Sequence, residues 1–281
     1  MTRVIGICSG KGGVGKTTIA INLAIGLKDF GKKVLIVGCN LSTPHLPYYL
    51  GVKDYKYTLN DVLKGKVDII SAINPYYGLK YIAASLNLQD IVIIEPSMLK
   101  KQIKKLVDMR KFDFILLDAA PGLGREVISV LDAADEIIFV TNPYAPMIND
   151  VIRTSDVLKQ IRGNRSLAVV LNMTTSATHE IFSKTLTELT GIPVIGEVPF
   201  DENVRISLAA KTPVLNYKPN SIASIHLKAI AASLAGVKYK LPAKARLRKL
   251  LKSVSNIIMP KSLSIPQNLE EVKEEVFIQR G

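Results

Sequence analysis

Gly10-Lys11-Gly12-Gly13-Val14-Gly15-Lys16-Thr17-Thr18 fits the phosphate-loop pattern G-x-x-x-x-G-K-[ST], and the sequence on either side of it decides the fold. Residues 3–8 (RVIGIC) are a short, β-branched apolar run. Residues 17–30 carry Ile19, Ala20, Leu23, Ala24 and Leu27 at helical spacing and are closed by Gly31, so the order is strand, loop, helix. The glycines let backbone N–H groups turn toward one point, where the positive end of the helix dipole joins them in a cradle for phosphate oxygens. The whole loop, Val14 and Thr18 included, is therefore expected to bind nucleotide, with Lys16 as a point charge on the β- and γ-phosphates and the Thr17 hydroxyl as a ligand of Mg²⁺.

The rest of the chain extends the pattern. Residues 32–37 (KKVLIV) read as a buried parallel strand. Residues 112–118 (FDFILLD) read as an apolar strand ending in a carboxylate, the Walker B arrangement in which Asp118 holds Mg²⁺ through a water. Strands at 136–141, 167–171 and 192–198 alternate with helices at 146–161, 178–190, 204–210 and 221–234. This alternation implies an α/β fold: a doubly wound, mostly parallel sheet covered on both faces, with ligands at the carboxyl ends of its strands. A strand at 79–83 and a helix at 99–109 complete the reading, Lys100, Lys101, Lys104 and Lys105 coating a solvated helix face. Residues 90–94 are ambiguous, because their β-branched run is cut short by Pro96.

With 281 residues and 48% hydrophobic content, the chain has material for one large domain plus a tail. It contains no apolar run of the roughly 18 residues a membrane helix needs, and its start enters the first strand at once. A cytoplasmic protein without span or signal peptide is expected. Cys8 and Cys39 end the first two strands with no C-x-x-C pair and read as buried thiols rather than a disulfide or metal site. His45, His179 and His226 have no metal-like spacing. The formal charge of +13 points to a polyanionic partner, and it is concentrated: residues 238–261 hold eight cations and no acidic residue.

The second lysine of the loop, Lys11 in KGGVGKTT, resembles the deviant phosphate loop of the MinD/ParA class of ATPases, archaeal MinD-like proteins in particular. The resemblance covers residues 1 to about 236 and implies a P-loop NTPase domain using ATP and Mg²⁺. It also implies an ATP-dependent homodimer in which Lys11 reaches the nucleotide of the other subunit. Residues 119–122 (AAPG) resemble the D-x-P-x-G switch II with proline displaced by one place, which makes the Gly122 N–H the candidate γ-phosphate sensor. Thr141-Asn142-Pro143 matches the T-N-P after a core strand, and residues 57–73 resemble a peripheral helix and loop. Asn172 matches the asparagine that reads the adenine edge, and Pro199-Phe200-Asp201 the loop that closes over the base. Without the resemblance, Asn172 and Asp201 read as turn residues. Residues 38–46 occupy the switch I position, where the class ends its strand in D-x-D; this chain has Gly38 and Asn40. An amide can orient water but cannot accept its proton, so slow hydrolysis is expected. The related iron–sulfur carriers and the nitrogenase iron protein need cluster-ligating cysteines, which argues against that branch.

Beyond the domain, residues 237–281 form a tail. Within 242–259, Leu247, Leu250, Leu251, Val254, Ile257 and Ile258 recur at helical spacing inside about one third of the circumference, while Lys244, Arg248, Lys249 and Lys252 fall on the other side. Such a basic amphipathic helix can lie in the interface of an anionic membrane, as in MinD, or pack on the core by its leucine face. Residues 268–278 (NLEEVKEEVFI) read as a short acidic helix able to cover the basic one. Three functions follow. The first is a MinD-like switch whose dimer presents two anchors to the membrane and answers to an activating or cargo protein. The second is a ParA-like ATPase binding DNA without sequence preference, although DNA has no need of an aliphatic stripe. The third is a nucleotide-locked scaffold with little turnover.

Overall fold

Apolar residues alternate along the first strand because the sheet separates two cores. In β1 (Arg3–Ser9), Val4 and Cys8 face one and Ile5 and Ile7 the other; in β2 (Val34–Gly38), Leu35 and Val37 part from Val34 and Ile36 in the same way. A parallel strand covered on both faces reads as a continuous apolar run for this reason. The structure is a computed structural model and describes residues 1–90, 96–162, 166–175 and 180–240, with Ala177 and Pro242. The chain divides into two units, Met1–Tyr239 and Lys240–Gly281. The amphipathic stripe at 247–258, its cations Lys244 to Lys252, the acidic segment at 268–278 and residues 91–95 lie outside the described residues.

Between the first two strands runs α1 (Lys16–Asp29), and after them come two short helices, α2 (Leu46–Leu50) and α3 (Leu59–Leu63). A hairpin, β3 (Asn74–Tyr76) with β4 (Leu79–Ile82), leads to α4 (Pro96–Asp108) and β5 (Phe114–Pro121). Then α5 (Arg125–Ala133), β6 (Glu136–Thr141), α6 (Ala145–Arg162), β7 (Ser166–Thr174), α7 (Ser183–Thr190) and β8 (Val194–Pro199) alternate. The first unit closes with α8 (Glu202–Ala209), α9 (Val214–Tyr217) and α10 (Ile222–Ala235). The strand order is β3-β4-β2-β5-β1-β6-β7-β8, parallel except for β3 against β4. This is the doubly wound sheet expected from the alternation. Register places Asp118 of β5 level with Ile7 of β1 and Gly38 of β2, so the ends of the three central strands share one crevice.

The structure differs from the sequence reading where tertiary packing takes over from local pattern. α1 is buried all round rather than on one stripe, because α10 lies against its second face; a methyl group on Gly26 would come within 2.7 Å of Ala231 Cβ. The peripheral segment 57–73 is two pieces. A capping box between Thr58 and Asp61 starts α3, Gly65 at φ 73° follows its end, and Asp68 caps a separate 3₁₀ turn at Ile69–Ala72. The antiparallel strand β3 contains Pro75, which hid it, and Tyr77 and Gly78 form its turn with φ of 42° and 80°. The helix read at 178–190 begins only at Ser183.

Candidate functional site

A cavity of about 540 Å³ opens at the carboxyl ends of β1 and β8, and the glycine loop forms its floor. Gly13 and Gly15 hold φ of 80° and 88°, the left-handed region that turns successive N–H groups inward. Gly15 precedes α1, which has no side-chain cap and no acidic residue in its first turn, so the positive helix end is left to an incoming anion. Two close approaches fix the loop. A Cβ on Gly10 would stand 2.2 Å from Asp150 Cβ of α6, and one on Gly15 would stand 2.2 Å from Asn172 Nδ2.

The two lysines occupy different environments. Lys16 Nζ lies 2.8 Å from Asp118 Oδ1, with side chains only 7% and 3% exposed. Lys11 is half-exposed at the rim, 3.5 Å from Asp150 Oδ2. Thr17, Thr18, Asn40 and Thr43 line the cavity beside the loop, as does Tyr49 of α2. The donor set suits a magnesium nucleotide. Thr17 and the buried Asp118 offer hard oxygens, and Mg²⁺ ordinarily takes only one or two protein ligands and completes its shell with phosphate and water. Among the described residues, no group of three or more His, Cys, Asp or Glu side chains could hold a metal ion.

Comparison with known proteins agrees with this geometry: the family described as ParA, NUBPL iron-transfer P-loop NTPase, matches residues 1–235. The chain belongs to the ParA family of P-loop ATPases. It is 34% identical over 241 residues to an uncharacterized ATP-binding protein of Methanocaldococcus jannaschii, covering 85% of this chain and 90% of that one. It is 30% identical over 255 residues to the antiactivator FleN of Pseudomonas aeruginosa, covering 87% and 89%. Among solved structures, the septum site-determining protein MinD of Pyrococcus horikoshii, complexed with Mg-ADP, superposes with a TM-score of 0.78 at 31% identity, covering 83% of this chain and 96% of that one.

Within this ParA-family frame, the structure brings Asn172, Pro199, Phe200 and Asp201 to one side of the cavity, with Arg205 stacked 5.4 Å above the Phe200 ring. Asn172 Nδ2 donates to Val14 O at 2.8 Å, so it also braces the loop. The Asp201 carboxylate accepts from Asn203 N at 3.0 Å and Ala223 N at 3.0 Å, capping α8 and tying it to α10. Burial alone would raise its pKa, but those N–H groups outweigh burial and hold it below the ordinary carboxylate value. Gly122 stands at the end of β5 with its N–H donating to Ser9 O at 3.0 Å, an extension of the β1–β5 ladder. Cys8 and Cys39 are fully buried; burial pushes the Cys8 thiol up to about 12, against the lowering effect of Lys16, and raises Cys39 well above its usual value.

Several site residues escape a reading of the sequence. Asp150 and Tyr49 sit in helices with no motif around them, and their roles come only from the approach of α6 and α2 to the loop. Asn142 Nδ2 donates to Asn172 O at 3.0 Å, linking the ends of β6 and β7; the T-N-P match marked the residue but not this contact. Asn40 folds the loop back on itself, its Oδ1 accepting from Thr43 N, three residues on, at 3.1 Å. Glu126 likewise belongs to no motif, yet it reaches the same loop.

Proposed function

We propose that this chain is a slow, ATP-dependent switch ATPase of the MinD type, in which ATP drives a homodimer that binds an anionic membrane surface through its C-terminal tail. The observation that carries the reading is the pair of loop lysines, one buried on Asp118 and one half-exposed at the rim where a second subunit could be met. In this reading Lys16 leaves Asp118 for the phosphates, and Thr17 and Asp118 would hold a bound Mg²⁺, which would supply positive charge beside the transferred phosphoryl group. Lys11 leaves Asp150 for the partner's nucleotide. Gly122 exchanges Ser9 O for the γ-phosphate, and Asn40 orients the attacking water without taking its proton.

Asn172, Pro199 and Phe200 flank the base, while the Asp201 side chain acts through the fold of the loop. The buried state of Cys8 and Cys39 and the absence of any other cysteine in the sequence weigh against iron transfer, which needs thiolates within reach of its cargo. The unit at 240–281 supplies reversible anchoring on the cytoplasmic face. One basic amphipathic anchor binds weakly, whereas two linked anchors gain by factors of order 10² to 10⁴ through effective concentration. Among the described residues, no helix is long and apolar enough to cross a membrane.

An activating or cargo protein completes the cycle, by analogy with the solved complex of MinC and MinD from Aquifex aeolicus. Co-sedimentation with anionic liposomes in ATP and in ADP, run beside a DNA mobility-shift assay, tests the proposal. ATP-dependent sedimentation without a DNA shift is expected; a shift without sedimentation would favour the DNA-binding alternative.

A further inference from the structure

Switch I in this chain lacks carboxylates of its own, with Gly38 and Asn40 at the positions where they would stand, yet one carboxylate reaches it from elsewhere. Glu126, in the first turn of α5, accepts from Leu41 N at 3.1 Å through one oxygen and from the Ser42 hydroxyl through the other. These partners are 85 and 84 residues away, so the contact belongs to the tertiary fold. On the other side of Asn40, Cys39 N donates to Asp118 O at 2.9 Å. The loop is thus gripped on both flanks of Asn40, by the strand that carries Asp118 and by the helix that follows it. Asn40 and Thr43, joined by the bond from Thr43 N to Asn40 Oδ1, line the cavity.

We propose that Glu126 is a positioning residue that holds switch I, and Asn40 with it, against the phosphate site. The inference rests on the ATPase reading above and deepens it. Glu126 lies only four residues beyond Gly122, whose N–H is bonded to Ser9 O. When Gly122 moves to meet a γ-phosphate, the start of α5 moves with it, and the two bonds from Glu126 carry that displacement to switch I. The carboxylate supplies at the loop's flank a charge-assisted grip that an amide at position 40 cannot. Glu126 does not line the nucleotide cavity, so its effect on turnover is separable from nucleotide affinity.

The test compares wild type with Glu126→Ala, Glu126→Gln and Ser42→Ala, by hydrogen exchange of residues 40–43 without nucleotide, by affinity for a fluorescent ATP analogue, and by single-turnover hydrolysis. Glu126→Ala should speed exchange in this segment about tenfold or more, the factor that charge-assisted hydrogen bonds carry. It should lower the hydrolysis rate by a similar factor while leaving ATP affinity within about twofold. Glu126→Gln keeps an acceptor for Leu41 N and should recover part of both effects, and Ser42→Ala, which removes one bond from an exposed position, should show a smaller version. Unchanged exchange in Glu126→Ala overturns the grip itself. Faster exchange with unchanged hydrolysis overturns the positioning role, and equal losses of affinity and rate mark general damage and overturn it too. Failure of the wild type to bind ATP would instead defeat the ATPase reading, and the nucleotide-free exchange measurement tells that failure from this one.

Discussion

Replacing Asp118 by Ala should destabilise the folded protein by about 3–5 kcal/mol in the absence of nucleotide. Lys16 Nζ and Asp118 Oδ1 stand 2.8 Å apart, and with 7% and 3% of their side chains exposed, solvent cannot take over either charge. Folding has already removed the ammonium from water, so deleting the carboxylate leaves that desolvation uncompensated. For a unit of 239 residues, each kcal/mol corresponds to roughly 2–4 °C, so the melting temperature should fall by about 6–20 °C. The double variant Lys16→Met/Asp118→Leu removes both charges at similar volume and should recover most of the loss, giving a coupling energy of at least about 2 kcal/mol. Urea unfolding of wild type, Lys16→Met, Asp118→Leu and the double variant measures the cycle, with Asp118→Ala alongside. Saturating ATP should stabilise Asp118→Ala more than wild type, because phosphate replaces the lost counter-charge. A cost below about 1 kcal/mol for Asp118→Ala, or an additive cycle, would refute the argument, since only an exposed pair is worth so little.

Other outcomes follow from the same geometry. Lys11→Ala should retain ATP binding and lose ATP-dependent dimerisation, read by light scattering; dimers at wild-type level would remove Lys11 from the interface. Asn40→Asp, alone or with Gly38→Asp, should raise turnover in a steady-state phosphate assay, and equal rates would show that the missing carboxylates do not limit it. The Cys8 thiol stays protonated to about pH 12 when folded but ionises near 9 when unfolded, so stability should fall as pH rises through that window. Thiol labelling at pH 8.5 should track unfolding; rapid labelling of native protein would contradict the burial of both cysteines. Deleting residues 262–281 should increase liposome co-sedimentation in ADP far more than in ATP, and unchanged ADP-state binding would leave the acidic segment without a regulatory role.

What the sequence disclosed was whatever its chemistry keeps contiguous. The loop at 10–18, β1 and α1 are each a local pattern and stand where that pattern puts them, while the apolar run that carries Asp118 is a strand shifted to Phe114–Pro121, running three residues past the carboxylate expected to end it. Elements of three to five residues, such as β3 and α9, are too short for periodicity to register, and their stability comes from neighbours. α1 looked one-sided because its second apolar row, Ile21 and Ile25, is sparse; only α10 reveals what covers it. The contacts of Asp150, Glu126 and Asn172 with the loops were beyond reach for a different reason. Each joins positions far apart in the chain, and a polar side chain carries no mark of the partner it will find.

The packing of Phe30 against Tyr239, rings 6.0 Å apart and edge to face, bears on how a tail can answer to a nucleotide. Phe30 closes α1 at the end opposite Lys16, and fourteen residues at 1.5 Å each place about 21 Å of rigid helix between the phosphate site and the point where the chain leaves this unit. A helix that long, clamped by α10 along its flank, is a poor piston: sub-ångström adjustments at one end have no hinge to amplify them at the other. Information about the γ-phosphate would then reach the surface by arithmetic rather than mechanics. On the proposed dimer reading, ATP would change how many tails leave one particle.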